Sequence, residues 1–175
     1  MLINAGFAAV ATGGAVIASQ YLGHRDRKKA CEASSQLMVV TAACALLFTV
    51  LSLAARKPLL SLLFGQIDAD VMDAALTYLT VSALSFPFLA SFNSSSALFR
   101  AMNDSRTPTV VSLGMNVMNL IGNSILIFGM KWGVAGAAIS TLLSRVMAAV
   151  VMFALSLNRQ RQLCVRMNEM MRVDT

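Results

Sequence analysis

Long stretches without charged residues dominate the hydrophobic pattern of this chain. Each stretch has at least ~20 residues, the length an α-helix needs to cross ~30 Å of hydrocarbon at about 1.5 Å per residue. Strands of a membrane β-barrel would be about half as long and would alternate apolar with polar residues. The pattern therefore predicts transmembrane α-helices. The uncharged stretches cover residues 1–24, 33–55, 74–99, 107–130 and 132–158, and only the last is interrupted, by Arg145.

We therefore predict an all-α membrane protein with five transmembrane helices. Unpaired backbone is not tolerated in hydrocarbon, and a helix satisfies its own hydrogen bonds. Every Asp and Glu lies outside the predicted spans. The leucine-rich segment between Pro58 and Phe64 predicts a short helix on the outer surface, closed by Gly65. The predicted spans are residues 2–22, 37–55, 75–99, 110–129 and 133–157, and residues 158–175 form a cytoplasmic tail.

The composition excludes two other classes of protein. Hydrophobic residues make up 57% of the chain and charged residues 13%, whereas a disordered chain has low hydrophobicity and high charge. The net charge of +6 comes from 14 basic and 8 acidic residues. These basic residues are too few and too clustered to follow a phosphate track. We therefore expect a lipid bilayer as the environment and no nucleic-acid partner.

Basic residues are divided unequally between the two sides of the predicted spans. Ten Lys and Arg lie on the side that includes the tail, and three lie on the other side. Because basic loops stay in the cytoplasm, span one should begin outside and the tail should be cytoplasmic. We expect a multi-pass protein in the plasma (inner) membrane of a bacterium. Met1 would then lie at the outer face without a polar lead-in, so we expect an upstream helix that this sequence lacks.

Span four carries a polar stripe, formed by Ser112, Asn116, Asn119 and Asn123 at spacings of 4, 3 and 4 residues. These positions fall within roughly 60° of one another on a helix. Asn side chains in lipid must find partners, so this face should look into a helix bundle or a wet cavity. Hydrogen bonding between helices and a transport cavity both remain open as interpretations.

Two further features interrupt the apolar spans. Pro87, at the centre of span three, removes a backbone N–H and clashes with the carbonyl of Ala83. We therefore expect a kink, which serves either packing or gating. Arg145 lies near the middle of span five, beside a face of small residues. A structural role for it, by snorkelling or by pairing with backbone carbonyls, competes with a functional role.

The chain shows no catalytic motif. Its single histidine, His24, lies in a basic loop, and Cys31, Cys44 and Cys164 lack the spacing of metal ligands. The sequence has no GxxxxGK(S/T) phosphate loop, no nucleophile elbow and no carboxylate pair within the spans. We therefore expect neither an enzyme, nor a cofactor, nor a fixed metal site.

Several segments resemble those of the multidrug and toxic compound extrusion (MATE) transporters. Their order and spacing agree with the predicted topology, and the resemblance covers nearly everything from about Gly13 to Arg161. The segments are GGAVIASQYLGHRDRKKA from Gly13, LLSLLFG from Leu59, DVMDAALTYLTVSALSFPF from Asp70, SSALFRAMNDSRTP from Ser95, NVMNLIGNSILIFG from Asn116 and WGVAGAAISTLLSR from Trp132.

The resemblance implies that the five spans are helices two to six of a twelve-helix transporter built from two six-helix lobes. The chain would form most of the N-terminal lobe and begin the inter-lobe linker, without the first helix and the C-terminal lobe. Members of the family typically exchange Na⁺ or H⁺ for cationic or amphipathic compounds, drugs included. A central cavity opens alternately to either side. Such compounds, the lipid bilayer and the missing helices are therefore the expected partners.

The resemblance also implies candidate binding residues for the coupling cation. The family often holds this cation with an acidic residue on helix one, which this sequence lacks, and with polar residues on helices four, five and six. Neutral amides coordinate Na⁺ through their oxygens but do not titrate near pH 7, so the coupling ion stays undetermined between Na⁺ and H⁺. Substrate would contact the same polar stripe, the polar run after Pro87, and Phe92. The matching positions are Asn93 or Ser96 on helix four, Asn119 and Asn123 on helix five and Thr141 on helix six, with Asn116 in the same stripe.

Two other functions compete with cation-coupled drug export as interpretations of the sequence. A flippase for lipid-linked sugars, from the same wider superfamily, would need several basic residues in the cavity to hold pyrophosphate. Only Arg145 is available inside the spans, which disfavours that rival. A non-transporting membrane scaffold or an inactive gene remnant would be consistent with the missing helix and the missing lobe.

Overall fold

A computed structural model describes residues 2–64 and 68–157. These residues form seven α-helices and contain no β-strand. The predicted tail at 158–175 and the predicted helix stop at Gly65 lie outside the described residues. The helices are α1 (Leu2–Gly23), α2 (Arg27–Ala54), α3 (Arg56–Phe64), α4 (Ala69–Leu84), α5 (Phe86–Ala101), α6 (Arg106–Asn123), which a π-helical segment (Ser124–Gly129) continues, and α7 (Gly133–Ser156).

The described helices include four that are long and apolar enough to cross a membrane. These are α1, α2, α6 together with its π-helical segment, and α7. The pair α4 and α5 adds a fifth if it is taken as one span, and the two halves are bent by 42°. The predicted all-α membrane fold is thus confirmed, with the third span broken into two helices.

The helix α2 begins at Arg27, ten residues before the predicted span at 37–55. The side chain of Asp26 accepts a hydrogen bond from the backbone N–H of Lys29 at 3.2 Å and so caps the first turn. Lys28 and Lys29 are exposed in this turn. Hydrophobicity indicates where the lipid begins, whereas a capping side chain indicates where the helix begins. The two boundaries therefore differ at this end of the span.

The helix α5 lies at the centre of the bundle. It packs against α1, α2 and α7, whereas α6 packs mainly against α7. The helix α4 packs against α7, α2 and α3 and makes few contacts with α5. Small side chains allow close approach of helices in a membrane protein. The core between α1, α2 and α5 is accordingly rich in alanine, with Ala11, Ala15, Ala18, Ala30 and Ala97 buried beside Leu98.

The distribution of side chains between interior and surface is the reverse of that in a soluble protein. Hydroxyls are buried, and those of Thr41 on α2 and Ser94 on α5 lie 2.6 Å apart. Large apolar side chains point outward, since Leu47 is 67% exposed and Leu120 is 68% exposed. In hydrocarbon this arrangement places apolar groups against lipid and gives polar groups protein partners. The outer surface of the bundle is therefore suited to lipid contact.

The turn between α5 and α6 is held by side-chain and backbone geometry together. Asn103 has a positive φ of 64°, which allows the chain to reverse after α5. Asp104 Oδ1 accepts from the backbone N–H of Thr107 at 3.1 Å, and Oδ2 accepts from the hydroxyl of Thr107 at 2.7 Å. One carboxylate thus binds two donors in the first turn of α6, where the helix dipole also favours a negative charge.

Candidate functional site

Three of the predicted binding residues form one hydrogen-bonded cluster between α6 and α7. Asn119 Nδ2 donates to Thr141 Oγ1 at 3.2 Å, and Asn123 Nδ2 donates to Asn119 Oδ1 at 3.1 Å. Thr141 Oγ1 donates to the carbonyl of Ala137, one turn earlier in α7, at 2.9 Å. The four-residue spacing places both asparagines on one face of α6. We call Asn119, Asn123 and Thr141 the amide cluster.

Close packing of α6 on α7 positions the amide cluster. Gly122 lies directly against Ser140, so a side chain at position 122 would overlap that of the serine. Ser140 Oγ donates to the backbone carbonyl of Asn119 at 3.0 Å, which adds a second hydrogen bond between the two helices. At Gly136, an added Cβ would stand 3.0 Å from Leu126 Cβ. Small residues on both helices thus bring them close enough for their polar side chains to meet.

One oxygen of the amide cluster lacks a hydrogen-bond partner among residues 2–64 and 68–157. This atom is Asn123 Oδ1, which is buried. The chain passes directly from Asn123 into the π-helical segment, a geometry that occurs often at functional sites. The side-chain oxygens of Asn119, Asn123 and Thr141 are neutral, and hard cations prefer oxygen ligands. The arrangement can therefore coordinate a metal cation, although its amide groups cannot carry a titrating proton near pH 7.

The other three predicted binding residues lie outside the amide cluster. Asn93 on α5 donates through Nδ2 to Asn4 Oδ1 on α1 at 3.0 Å. Ser96 is 1% exposed, and its hydroxyl has no partner within the described part of the chain. Asn116 is exposed and lines an open cleft with residues of α5. Of the six predicted binding residues, hydrogen bonds between described residues therefore join only Asn119, Asn123 and Thr141 to one another.

The break between α4 and α5 lies at the position where Pro87 predicts a kink. The helix α4 ends at Leu84, and Pro87 stands in the first turn of α5. Because proline has no N–H, the carbonyl of Ala83 loses its usual helical donor. Thr49 Oγ1, on α2, lies 3.2 Å from that carbonyl and shares its single hydrogen between it and the carbonyl of Ala45, which is 2.8 Å away. A side chain from a neighbouring helix thus satisfies the backbone group that the proline leaves unpaired.

Ser85 occupies the break and is fully buried. Its hydroxyl donates to the carbonyl of Ser82 at 2.6 Å and accepts from Arg145 Nη1, on α7, at 2.5 Å. The structure therefore places the intramembrane arginine at the end of α4. There it binds a side-chain hydroxyl, whereas the sequence interpretation considered snorkelling or pairing with backbone carbonyls.

Sequence reasoning missed the partners of these polar residues. Asn4 accepts from Asn93, and Ser85 accepts from Arg145. Thr49 contacts the carbonyl of Ala83, and Ser140 donates to the carbonyl of Asn119. Each was visible as a polar residue in an apolar stretch. The sequence contains no signal for which helix such a residue faces, because the partner lies 21 or more residues away along the chain.

The sequence comparisons agree on one family. A model of the MatE family matches residues 1–125. The uncharacterized transporter YisQ of Bacillus subtilis (strain 168) is 34% identical over 166 residues, which cover 93% of this chain and 36% of YisQ. The probable multidrug resistance protein NorM of Thermotoga maritima is 33% identical over 116 residues, which cover 61% of this chain and 24% of NorM. The chain thus spans about a third or less of the length of these relatives.

Solved structures show the same fold. An inward-facing conformation of a multidrug resistance MATE family transporter of the MOP superfamily matches with a TM-score of 0.87, at 20% identity over 95% of this chain. An outward-facing conformation of such a transporter matches with a TM-score of 0.87, at 19% identity over 97% of this chain. Each match covers 38% of the solved chain. The family match over residues 1–125 and this shared helical fold lead to one conclusion: the chain belongs to the MatE family of multi-pass membrane transporters.

Proposed function

We propose that the chain is most of one lobe of a secondary transporter that exchanges a cation for cationic or amphipathic compounds by alternating access. The observation that carries the proposal is the amide cluster, in which Asn119, Asn123 and Thr141 present neutral oxygens between two packed helices. The relatives named multidrug resistance proteins support the class of substrate. Secondary transporters typically bind their substrates and coupling ions near the bilayer midplane.

Na⁺ is the coupling ion that the chemistry of this cluster favours over H⁺. Asn123 Oδ1 is buried and free to take a ligand, and Asn119 Oδ1 accepts only one hydrogen bond from its described neighbours. Amide and hydroxyl oxygens bind Na⁺ through their lone pairs, whereas they do not exchange a proton near pH 7. Arg145 donates to Ser85 at the break and makes no hydrogen bond to either asparagine among the described residues.

The substrate surface would be the open cleft of about 320 Å³ between α5 and α6. Phe92, Pro108 and Leu113 provide apolar contact there, and Ser112 and Asn116 provide polar groups. Arg100 also lines the cleft and would repel a cationic centre. The cleft therefore suits the apolar part of an amphipathic compound, with its positive charge directed away from Arg100.

Alternating access would proceed by movement of the whole lobe. The chain resembles an inward-facing and an outward-facing transporter equally well, with a TM-score of 0.87 in both cases. Equal similarity supports a lobe that keeps one fold while its orientation to the second lobe changes. The remaining helices of the transporter would pack on α6, of which only Pro108 is buried in the described bundle.

The unequal distribution of basic residues supports an orientation in the plasma (inner) membrane. Ten basic residues on one side and three on the other would place the start of α1 outside and the chain beyond α7 in the cytoplasm. The flippase alternative stays disfavoured, because Arg145 is the only basic residue inside the predicted spans and a pyrophosphate group would need several.

The test is Na⁺-driven efflux of the fluorescent cation ethidium from proteoliposomes that contain the full-length transporter carrying these residues. We expect the double variant Asn119→Ala plus Asn123→Ala to weaken apparent Na⁺ affinity by about tenfold or more, equivalent to about 1.4 kcal/mol. Ser124→Ala is the control, because it removes an exposed hydroxyl that bonds to the carbonyl of Leu120 in the same continuous helix and does not line the proposed cleft. Wild-type exchange in the double variant would remove the amide cluster from the mechanism, and exchange driven only by a pH gradient would replace Na⁺ with H⁺.

A further inference from the structure

The contact between Arg145 and Ser85 joins a charged side chain in the middle of α7 to the break between α4 and α5. Arg145 Nη1 lies 2.5 Å from Ser85 Oγ, and Ser85 is fully buried. Among the described residues no carboxylate lies within salt-bridge distance of Arg145. A charge within a membrane span is costly, and it is usually retained for a specific partner. Here the partner is the hydroxyl at the break.

The geometry of the break explains why a cation is favourable there. The helix α4 ends at Leu84, so its last carbonyls lack helical donors and the helix dipole makes this end partly negative. Ser85 N and Oγ both donate to the carbonyl of Ser82. Arg145 donates to the same hydroxyl, so its positive charge lies at the partly negative end of α4.

A second side chain secures the same break from the other side of the bundle. Thr49 on α2 shares its hydroxyl hydrogen between the carbonyl of Ala45 in its own helix and the carbonyl of Ala83, which lacks its usual helical donor because of Pro87. The break is therefore bonded from both α2 and α7. Direct contacts between α4 and α5 are few, so the angle between them depends on these neighbouring helices.

We propose that Arg145 is a positioning residue that holds the 42° bend of the broken span at a single angle, with Thr49 as the second attachment. The angle between α4 and α5 at the proline-containing break then stays fixed, and the break does not open as a separate gate. This claim concerns the shape of the lobe and is independent of which ion or substrate the transporter uses. It deepens the proposed function only in assigning part of the rigidity of the moving lobe to the contacts that Arg145 and Thr49 make at the break.

The test is a distance measurement by double electron–electron resonance on the 175-residue chain in lipid nanodiscs. Spin labels are placed at exposed Val71 on α4 and exposed Val16 on α1, in a background where the native cysteines Cys31, Cys44 and Cys164 are replaced by Ser. Val71 lies 14 residues from Ser85, or about 21 Å along the helix. Relaxing half of the 42° bend would move the label by about 8 Å.

We expect one narrow distance distribution for the chain with Arg145 and Ser85 intact. Arg145→Met should broaden the distribution or shift it by up to about 8 Å. Ser85→Ala should have the same effect, because it removes the acceptor and changes little volume. The double variant Arg145→Met plus Ser85→Ala should give the same distribution as either single variant, since each single variant already removes the hydrogen bond between the two residues. Arg145→Lys, which keeps the charge, should recover part of the narrow distribution.

Two matched controls separate this role from a general loss of packing. Ser156→Ala removes a buried hydroxyl of α7 that bonds only to the carbonyl of Phe153 in its own helix. Arg100→Met removes a positive charge from α5 away from the break. Both controls should leave the distribution narrow. A broad distribution in the parent chain, or an unchanged one in both Arg145→Met and Ser85→Ala, would overturn the proposal. Neither result depends on transport, so failure of the proposed antiport would be seen separately.

Discussion

Replacing Asn119 by alanine tests whether the amide cluster stabilises the contact between α6 and α7. The side chain of Asn119 takes part in two hydrogen bonds, as donor to Thr141 and as acceptor from Asn123. Side-chain hydrogen bonds between membrane helices contribute about 0.6 kcal/mol on average and about 1.7 kcal/mol at most. Two bonds of average strength correspond to about 1.2 kcal/mol, which is about an eightfold change in the unfolding equilibrium.

The control for this prediction lies on the same helix. Asn116 is exposed and has no side-chain hydrogen bond to another described residue. Asn116→Ala changes intrinsic helix propensity by the same amount as Asn119→Ala, a few tenths of a kcal/mol in favour of alanine. The difference between the two variants therefore isolates the hydrogen bonds. We expect Asn119→Ala to be less stable than Asn116→Ala by about 1.2 kcal/mol.

The assay is reversible unfolding of the chain by sodium dodecyl sulfate in dodecylmaltoside micelles, followed by far-ultraviolet circular dichroism. The unfolding midpoint of Asn119→Ala should fall below that of the original chain, whereas that of Asn116→Ala should stay equal or rise slightly. Equal midpoints for the two variants would refute the reasoning, because they would show that the hydrogen bonds across α6 and α7 add no net stability.

Two further predictions use the same unfolding assay. Phe99 on α5 is fully buried against α7. Phe99→Ala should lower the free energy of unfolding by about 2–3 kcal/mol. This loss is smaller than in a soluble core, because lipid replaces water as the reference environment. Phe128→Ala is its control, since Phe128 is 80% exposed, and a similar loss there would contradict the assigned core. Asp104→Ala should cost about 1 kcal/mol by removing the acceptor for the first turn of α6. Asp104→Asn keeps an acceptor oxygen and should lose less, and an equal loss in both variants would argue against the capping role.

The positions of the helices could be predicted well because lipid imposes a simple rule on composition. Any stretch such as 107–130, with no charge over the thickness of the bilayer, must satisfy its backbone as a helix. The start of α2 at Arg27 was missed, because a helix continues beyond the lipid when a residue such as Asp26 caps it. The break after Leu84 was expected from Pro87, whereas its attachment to α2 and α7 was not.

The candidate site was predictable only in part. The spacing of Asn119 and Asn123 placed them on one helix face from the sequence alone. Thr141 was included in the candidate site only because of the family resemblance. It lies 22 residues from Asn119, and no local sequence pattern joins the two. Asn93 was grouped with the same site, yet its amide bonds Asn4 on α1. Polar residues of similar type are interchangeable in a sequence pattern, and only packing decides which pairs meet.

The sequence by itself determined that this chain is a membrane protein, where its long apolar stretches lie and which residues are polar within them. These properties follow from the free energy of placing each segment in lipid, which depends on local composition. The tertiary structure alone decided that Arg145 faces the break at Ser85 and that Gly122 lies against Ser140. Such contacts depend on how distant helices pack, and in lipid small differences in side-chain fit and hydrogen bonding govern that packing.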